Sequence, residues 1–295
     1  LGYRGAGVLG GIWNSKDYLQ SFLAIQSSCN DVVKLRSSLK SVQKHTPLKR
    51  PFVLSIAGLD PSSGAGLTAD IKTMERLKCY GLSICSGNTV QNDKELSAVH
   101  WTPLNVMKAQ IDSLFERFEI SFVKVGIIEN WLTLNNIVDY LLLKNSEIKI
   151  ILDPVLSASS SFKFHATDGD EFAEVLKKIY LLTPNYLEFE KLIEGNSEQE
   201  GIANITSYCN LLLKGGHQKN NKKGRDELYL TNGKSFVFNP KREVVFEKHG
   251  SGCILSSAIT SFLALEISLN KACYKGKKYT ENALSSNKSL LAYHF

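Results

Sequence analysis

The sequence predicts an α/β fold built on a mostly parallel sheet covered by helices on both faces. Two observations carry this. Short runs that are apolar on both faces alternate with longer segments whose apolar residues recur at helical spacing, and strands buried on both sides need helical layers above and below. The chain also has 295 residues, 43% of them hydrophobic, enough to fill a core of that architecture.

The elements follow in order. Gly5-Ala6-Gly7-Val8-Leu9-Gly10 reads as a short strand and Tyr18 to Leu35 as a helix, one βα unit, before a polar basic stretch from Ser37 to Arg50 that reads as a linker closed by Pro51. Strands are then expected at Phe52–Ala57, Ser83–Ser86, Phe122–Val125, Ile148–Leu152, Tyr180–Leu182 and Leu211–Leu213. Helices are expected near Ala69–Leu77, Asn105–Phe118, Leu132–Lys144, Glu171–Ile179 and Tyr186–Ile193, with a last apolar segment from Ile254 to Leu269. In such a sheet, functional groups gather at the carboxyl ends of the strands.

Composition narrows the function classes. A net charge of +6 suits an anionic small substrate, and the basic clusters Lys40–Arg50 and Lys214–Arg225 lack the interleaved aromatics of a single-strand binding surface, so no nucleic-acid partner is expected. The six cysteines include no C-x-x-C pair, which argues against a zinc site or a disulfide framework and fits a reducing cytoplasm. No apolar run is long enough to span a bilayer, so no membrane partner is expected. The chain opens on Leu1 rather than Met, as a segment of a longer product would.

The most informative local feature is Gly250-Ser251-Gly252, which runs directly into Cys253 and the apolar helix. Backbone N–H groups at a helix start are unpaired and carry the positive end of the dipole, so this turn is suited to hold an anion and to favour a thiolate beside it. Loop, anion and ionisable thiol point to phosphoryl transfer with Cys253 as base; an N-capped core helix with a buried Cys is the alternative. His249 precedes Cys253 by four residues and invites a Cys-His nucleophile, but no third orienting residue is evident.

A second glycine-bearing turn, Gly58-Leu59-Asp60-Pro61-Ser62-Ser63-Gly64-Ala65-Gly66, follows the first strand and opens a helix carrying Asp70. A Walker loop fails there, because Ala65 stands where lysine is required. Gly64 to Ala69 satisfies G-x-G-x-x-A, yet the next strand ends in Gln91-Asn92 rather than in a ribose-binding acid.

Ser55-Ile56-Ala57-Gly58-Leu59-Asp60-Pro61-Ser62-Ser63-Gly64-Ala65-Gly66, with Ala69-Asp70-Ile71-Lys72-Thr73, resembles the start of the hydroxymethylpyrimidine and phosphomethylpyrimidine kinases of thiamine synthesis, members of the ribokinase-like superfamily. Val90-Gln91-Asn92, Lys124-Val125-Gly126, Leu152-Asp153-Pro154-Val155, Thr183-Pro184-Asn185 with Glu188, Lys214-Gly215-Gly216-His217 and His249-Gly250-Ser251-Gly252-Cys253 follow in family order, from about Pro51 to Phe295.

The resemblance implies a three-layer αβα fold, ATP and Mg²⁺ as cofactors, a small pyrimidine substrate and a homodimer. It places Gly58, Asp70, Gln91 and Val155 at the substrate, Asn185, Lys214 and Gly215 at the nucleotide, and Asp153 and Glu188 at the metal through water. Gly250, Gly252 and Cys253 are placed at the transferred phosphate, with cysteine standing where most of the superfamily has an aspartate base. The residue types agree: a neutral amide at Gln91 can both donate to and accept from a pyrimidine edge, and magnesium keeps several waters that a few carboxylates suffice to orient. Helix capping by Asn185 is compatible with the same role. Leu59, Ser63, Ile127 and the stretch Ser157 to Phe164 depart from the family pattern, which bears on pocket shape and on tolerance of a phosphate ester. A pyridoxal-type kinase and a ligand-binding homologue without catalysis are the rival readings.

Gly5 to Trp13 and the helix after it resemble the last strand, phosphate loop and final helix of thiamine phosphate synthase, a (β/α)8 barrel. One βα unit cannot close a barrel. The expected organisation is therefore a remnant at 1–36, a linker at 37–50 and a kinase domain at 51–295.

Overall fold

The computed structural model describes residues 17, 19–24, 26–27, 50–156, 169–193, 195–216, 224–242 and 245–295. The chain divides into two compact units, residues 1–49 and residues 50–295. In the first unit, residues 19–24 and 26–27 are helical, and the Asp17 carboxylate accepts from the Gln20 N–H at 3.0 Å. This agrees with part of the helix expected from Tyr18; the expected strand at Gly5–Gly10 and residues 37–49 of the linker lie outside the described residues.

The second unit runs β1 (Phe52–Leu59), α1 (Gly66–Arg76), β2 (Tyr80–Gln91), β3 (Leu96–Trp101), α2 (Leu104–Phe115), β4 (Ile120–Val125), α3 (Trp131–Lys144) and β5 (Lys149–Leu152). It continues with α4 (Gly169–Leu176), β6 (Leu181–Leu182), α5 (Tyr186–Leu192), α6 (Glu198–Thr206), β7 (Asn210–Leu213), β8 (Asp226–Tyr229), β9 (Ser235–Phe238), α7 (Ser251–Ala264) and α8 (Leu269–Leu284). The strands form one nine-stranded sheet in the order β3-β2-β1-β4-β5-β6-β7-β8-β9. Pairing is parallel from β2 through β7, while β3 at one edge and β8 and β9 at the other are antiparallel.

Side-chain alternation along the strands divides the core into two layers. Leu54, Ile56, Ile150, Leu152, Leu211 and Leu213 pack with Met107, Ile111, Leu134, Ile137 and Phe189 on one face. Ile151, Leu181 and Leu212 pack with Ile259, Leu263 and Cys273 on the other. Each such fully buried chain contributes about 1.5–3 kcal/mol relative to exposure. Lys124 breaks the pattern: it is fully buried within β4, beside Ser55 of β1 in register.

The three-layer αβα expectation holds, with differences at the margins. The strand expected at Ser83–Ser86 runs for 12 residues, and β3, β8, β9, α6 and α8 were not read from the sequence. Of the added strands β3 and β9 are the sheet edges and β8 lies next to one, and all three have mixed or exposed patterns, so they lack the doubly apolar signature. The apolar run from Ile254 to Leu269 is not one helix. It stops at Ala264, Glu266 takes a positive φ of 62°, and α8 starts afresh at Leu269. Arg50, read as the last linker residue, belongs to the second unit and pairs with Glu75 at 2.7 Å.

Candidate active site

The parallel order of β1, β4, β5, β6 and β7 brings their carboxyl ends to one rim, where α1 and α7 also begin. At the end of β1, Asp60 accepts from the Ser62 N–H (2.8 Å), the Ser62 hydroxyl (2.9 Å) and the Ala65 N–H (2.8 Å), which folds residues 60–65 into a tight turn. Burial alone would raise the Asp60 carboxyl, but bonds from His249, Ser62 and Ala65 hold it down at about 2. Glycine is required where this turn meets its neighbours. A Cβ on Gly66 (φ +56°) would fall 2.3 Å from the Gly58 carbonyl oxygen, and one on Gly250 (φ +76°) would fall 2.2 Å from that of Gly64.

Gly250 is the N-cap residue of α7 and supplies no side-chain cap, so the N–H groups of this helix start face the turn without a side-chain acceptor. Cys253 lies on the first turn. It is partly exposed, and desolvation pushes its thiol up to about 11, with Asp70 and Asp153 adding to the rise and Lys124 and the Gly66 N–H opposing it. The helix start was expected to lower this thiol; here desolvation outweighs it.

One helical turn below Cys253, two adjacent serines each bond a buried carboxylate. Ser257 donates to Asp70 Oδ1 at 2.5 Å and Ser256 donates to Asp153 Oδ2 at 3.1 Å. Asp70 also accepts from Ser55 (2.6 Å) and from Lys124 Nζ (2.8 Å). Burial raises the Asp70 carboxyl while Lys124, Ser257 and Ser55 oppose the rise. Lys124 stays above the ordinary lysine range: burial disfavours its charge, but Asp70, Cys253 and Asp153 restore it. Asp70, which the resemblance placed at the substrate, is therefore buried with both oxygens taken by protein donors, a position that holds Lys124 and α7.

Asp153, at the end of β5, accepts from Lys214 Nζ at 2.7 Å, and Lys214 lies 4.0 Å from Glu188. Burial would raise Asp153, but Lys214 and Lys124 hold it low. Glu188 is pushed up to about 7, by burial first and by the Asp153 charge, against Lys214. Asn185 and Glu188 form a reciprocal capping box at the start of α5, with bonds of 2.9 and 2.7 Å, so the capping role is present. A Cβ on Gly252 would lie 3.3 Å from Lys214 Nζ and 3.6 Å from Asp153 Oδ2, which fixes the α7 turn against this cluster.

The two glycines after Lys214 differ. A Cβ on Gly215 would fall 1.9 Å from the Arg225 carbonyl oxygen, so this glycine serves close backbone packing; Gly216 faces open space. Gly215 N–H donates to Asp226 Oδ1 at 2.9 Å, and Lys277 Nζ holds Asp226 Oδ2 at 2.9 Å. Of the two glycines, it is Gly216 that has room beside it.

Gln91 ends β2 half-buried and pairs through its backbone with Leu96. Leu96 packs with Ile127, and Val155 lies against that pair. Gly58 reaches the same patch: its Cβ would lie 3.3 Å from Ile127 Cδ1. Gly58, Gln91 and Val155 therefore converge on one small apolar floor. His249 is turned away from a Cys-His pairing, with Nε2 2.9 Å from Asp60 Oδ2. The sequence reading quoted Lys124 and Asp60 within motifs but gave no role to either, and it did not single out Ser256, Ser257 or Asp226. A lysine inside the apolar run Phe122-Val123-Lys124-Val125 was the available signal for the first, since such a charge is buried only when paired.

A family model described as phosphomethylpyrimidine kinase matches residues 60–295. A hydroxymethylpyrimidine/phosphomethylpyrimidine kinase of Aquifex aeolicus is 34% identical over 249 residues, covering 81% of this chain and 96% of that protein. The crystal structure of phosphomethylpyrimidine kinase from Clostridium difficile 630 superposes with a TM-score of 0.66 and 28% identity, covering 80% of this chain and 100% of that one. The pyridoxal kinase from Staphylococcus aureus in complex with ADP has a TM-score of 0.69 over 83% of this chain and 93% of that one; at 21% identity it shows a shared fold. The chain spans about half the length of other curated relatives it matches, 46% of one and 55% of another.

Proposed function

The chain belongs to the phosphomethylpyrimidine kinase family, and from that premise we propose that it phosphorylates 4-amino-5-hydroxymethyl-2-methylpyrimidine and then its monophosphate, using ATP. The observation that carries this reading is the convergence of an uncapped helix start bearing Cys253 with the Asp153–Lys214 pair at the ends of β5 and β7.

In this reading the substrate oxygen attacks the γ-phosphorus, a new P–O bond forms and the bond to the β,γ-bridging oxygen breaks, leaving ADP. The hydroxyl proton of the alcohol passes to Cys253 as its thiolate, the thiol's own proton having first left to solvent. Because burial holds the thiol near 11 in the free protein, proton removal is late, after the loose transition state has weakened the O–H bond. The N–H groups of Gly250, Ser251, Gly252 and Cys253 stabilise the transferred phosphoryl. Lys214 neutralises phosphate charge, and Gly216 leaves space beside it. Gln91 reads the pyrimidine edge above the floor of Gly58, Ile127 and Val155.

Among the described residues no group of three or more His, Cys, Asp or Glu side chains forms a metal cage. Asp153 and Glu188, both beside Lys214, are the carboxylates that would orient the waters of a Mg²⁺ held chiefly by nucleotide phosphates. When bound, the ion would neutralise charge on the β- and γ-phosphates.

Residues 1–36 are read as a remnant resembling the end of thiamine phosphate synthase, 37–49 as a linker, and the working unit as a homodimer. No helix among the described residues is long and apolar enough to cross a membrane, and five described cysteines are free, in keeping with a reducing compartment.

A coupled assay of ATP consumption over the pyrimidine alcohol, its monophosphate and pyridoxal tests the reading. Turnover of both pyrimidines is expected. Faster turnover of pyridoxal would move the chain to the vitamin B6 kinases, and no ATP consumption with any alcohol would make it a non-catalytic homologue.

A further inference from the structure

His249 is left without a role by the reaction above, yet its surroundings are built. Its Nε2 lies 2.9 Å from Asp60 Oδ2, and because an ionised carboxylate only accepts, Nε2 carries the proton in this bond. Asp60 is the residue that folds the turn 60–65 through Ser62 and Ala65. The imidazole therefore ties a turn at the end of β1 to the residue immediately before Gly250, 189 positions later in the chain.

The same join is close-packed. A Cβ on Gly64 would fall 2.8 Å from His249 Cδ2 and 2.7 Å from Leu291 Cδ2, and one on Gly250 would strike the Gly64 carbonyl. Behind it, the His249 N–H donates to the Leu290 carbonyl at 2.9 Å, and the buried Lys248 Nζ donates to the carbonyls of Asn287 (2.6 Å) and Ser289 (2.7 Å). The segment 286–291 thus backs the 248–250 segment while the imidazole fastens its front.

We infer that His249 is a positioning residue that acts through Asp60 to hold the anion-binding turn Gly250–Cys253 in register with the turn 60–66 and the substrate floor beside it. The inference rests on the kinase reading only for the identity of the two ligands. Its physical content is a latch between two loops. A misplacement of 1 Å in a reacting group costs about 100-fold in rate, so loss of the latch should appear in kcat before it appears in stability.

The test compares the full-length chain with His249→Ala and His249→Gln, by turnover of the pyrimidine alcohol, thermal unfolding and backbone hydrogen exchange. Glutamine places an N–H near the position of Nε2 and can bond Asp60, but it cannot carry a proton between groups. The expected result is a kcat lowered about 10–100-fold in the alanine variant, recovery to within about threefold in the glutamine variant, and faster exchange of residues 60–66 in the alanine variant alone. A glutamine variant as poor as alanine would assign the imidazole a direct chemical role and overturn the latch. Unchanged kcat with a lowered melting temperature, or unchanged exchange at 60–66, would overturn it too. Exchange is read without substrate, so it judges the latch even if the wild-type chain fails to phosphorylate the pyrimidine, which would count against the proposed function instead.

Discussion

Lys124 Nζ lies 2.8 Å from Asp70 Oδ2, and both side chains are fully buried. Ser55 and Ser257 supply the remaining bonds to the carboxylate, so the pair is closed from water by β1, β4, α1 and α7 together. Glycine at 126 is part of the same construction, because a Cβ there would lie 2.9 Å from Lys124 Nζ. A buried pair of this kind adds little against an apolar replacement of both partners, whereas breaking it strands a charge.

Lys124→Met is therefore expected to destabilise the second unit by about 3–5 kcal/mol, because Asp70 is left buried without its cation. Lys124→Met combined with Asp70→Asn should recover a large part of that loss. Urea unfolding of the single and double variants reads both values, and a single variant within about 0.5 kcal/mol of wild type would mean that the pair is not a buried ionic contact.

Cys253→Ala is expected to lower kcat by about 10²–10⁴-fold while ADP affinity, read by calorimetry, is kept, because the backbone N–H groups of the α7 start remain. The pH dependence has a definite sign. Burial raises the thiol to about 11, and only the thiolate is alkylated, so labelling of Cys253 by iodoacetamide should climb as pH rises toward 11 and stay slow at neutral pH. Wild-type turnover in the alanine variant would remove Cys253 from the reaction, and rapid labelling at pH 7 would show a thiolate that the raised pKa does not predict.

How much of this was readable in the sequence follows from what each residue does. Apolar runs such as Phe52–Ala57 and Leu211–Leu213 declared buried parallel strands, because both faces must be dry. Strand β9 (Ser235–Phe238) exposes alternate residues at a sheet edge, and α8 buries small residues such as Ala272, Cys273 and Gly276 amid lysines, so neither shows a strong apolar signal. At the site, glycines and Cys253 were legible because turns and helix starts demand particular residue types. The bonds of Asp60 to His249 and of Asp226 to Lys277 join segments far apart in the chain, and nothing local marks them. The pKa of Cys253 was misjudged for the same reason: the helix start is a local feature, but the desolvation that overrides it comes from the packing of α7 against its neighbours.

Gln91→Leu is expected to weaken pyrimidine binding by about 1–3 kcal/mol, since the ring's polar edge would be left buried and unpaired. Affinity for ATP should hold, because Gln91 ends β2 beside the Leu96–Ile127 floor and Lys214 ends β7 on the other side of β1 in the sheet order. Calorimetry with each ligand separates the two. Equal losses for both would point to a disturbed fold and count against Gln91 as the reader of the pyrimidine edge.

Deleting residues 1–49 should leave pyrimidine kinase turnover close to that of the full chain. Every residue assigned to the reaction lies between Gly58 and Cys253, within the compact unit of residues 50–295. The cut is placed before Arg50 because its guanidinium bonds both the Glu75 carboxylate (2.7 Å) and the Glu75 carbonyl (3.0 Å) at the end of α1; removing it as well would disturb the helix that carries Asp70. The full chain should form no thiamine phosphate from the pyrimidine diphosphate and the thiazole phosphate, because a single βα unit lacks the partner strands that close a barrel. Steady-state turnover of the deletion variant, alongside a product assay on the full chain, decides both points. A folded deletion variant without kinase activity would show that residues 1–49 contribute to the kinase site, and detectable thiamine phosphate would refute the reading of residues 1–36 as an inactive remnant.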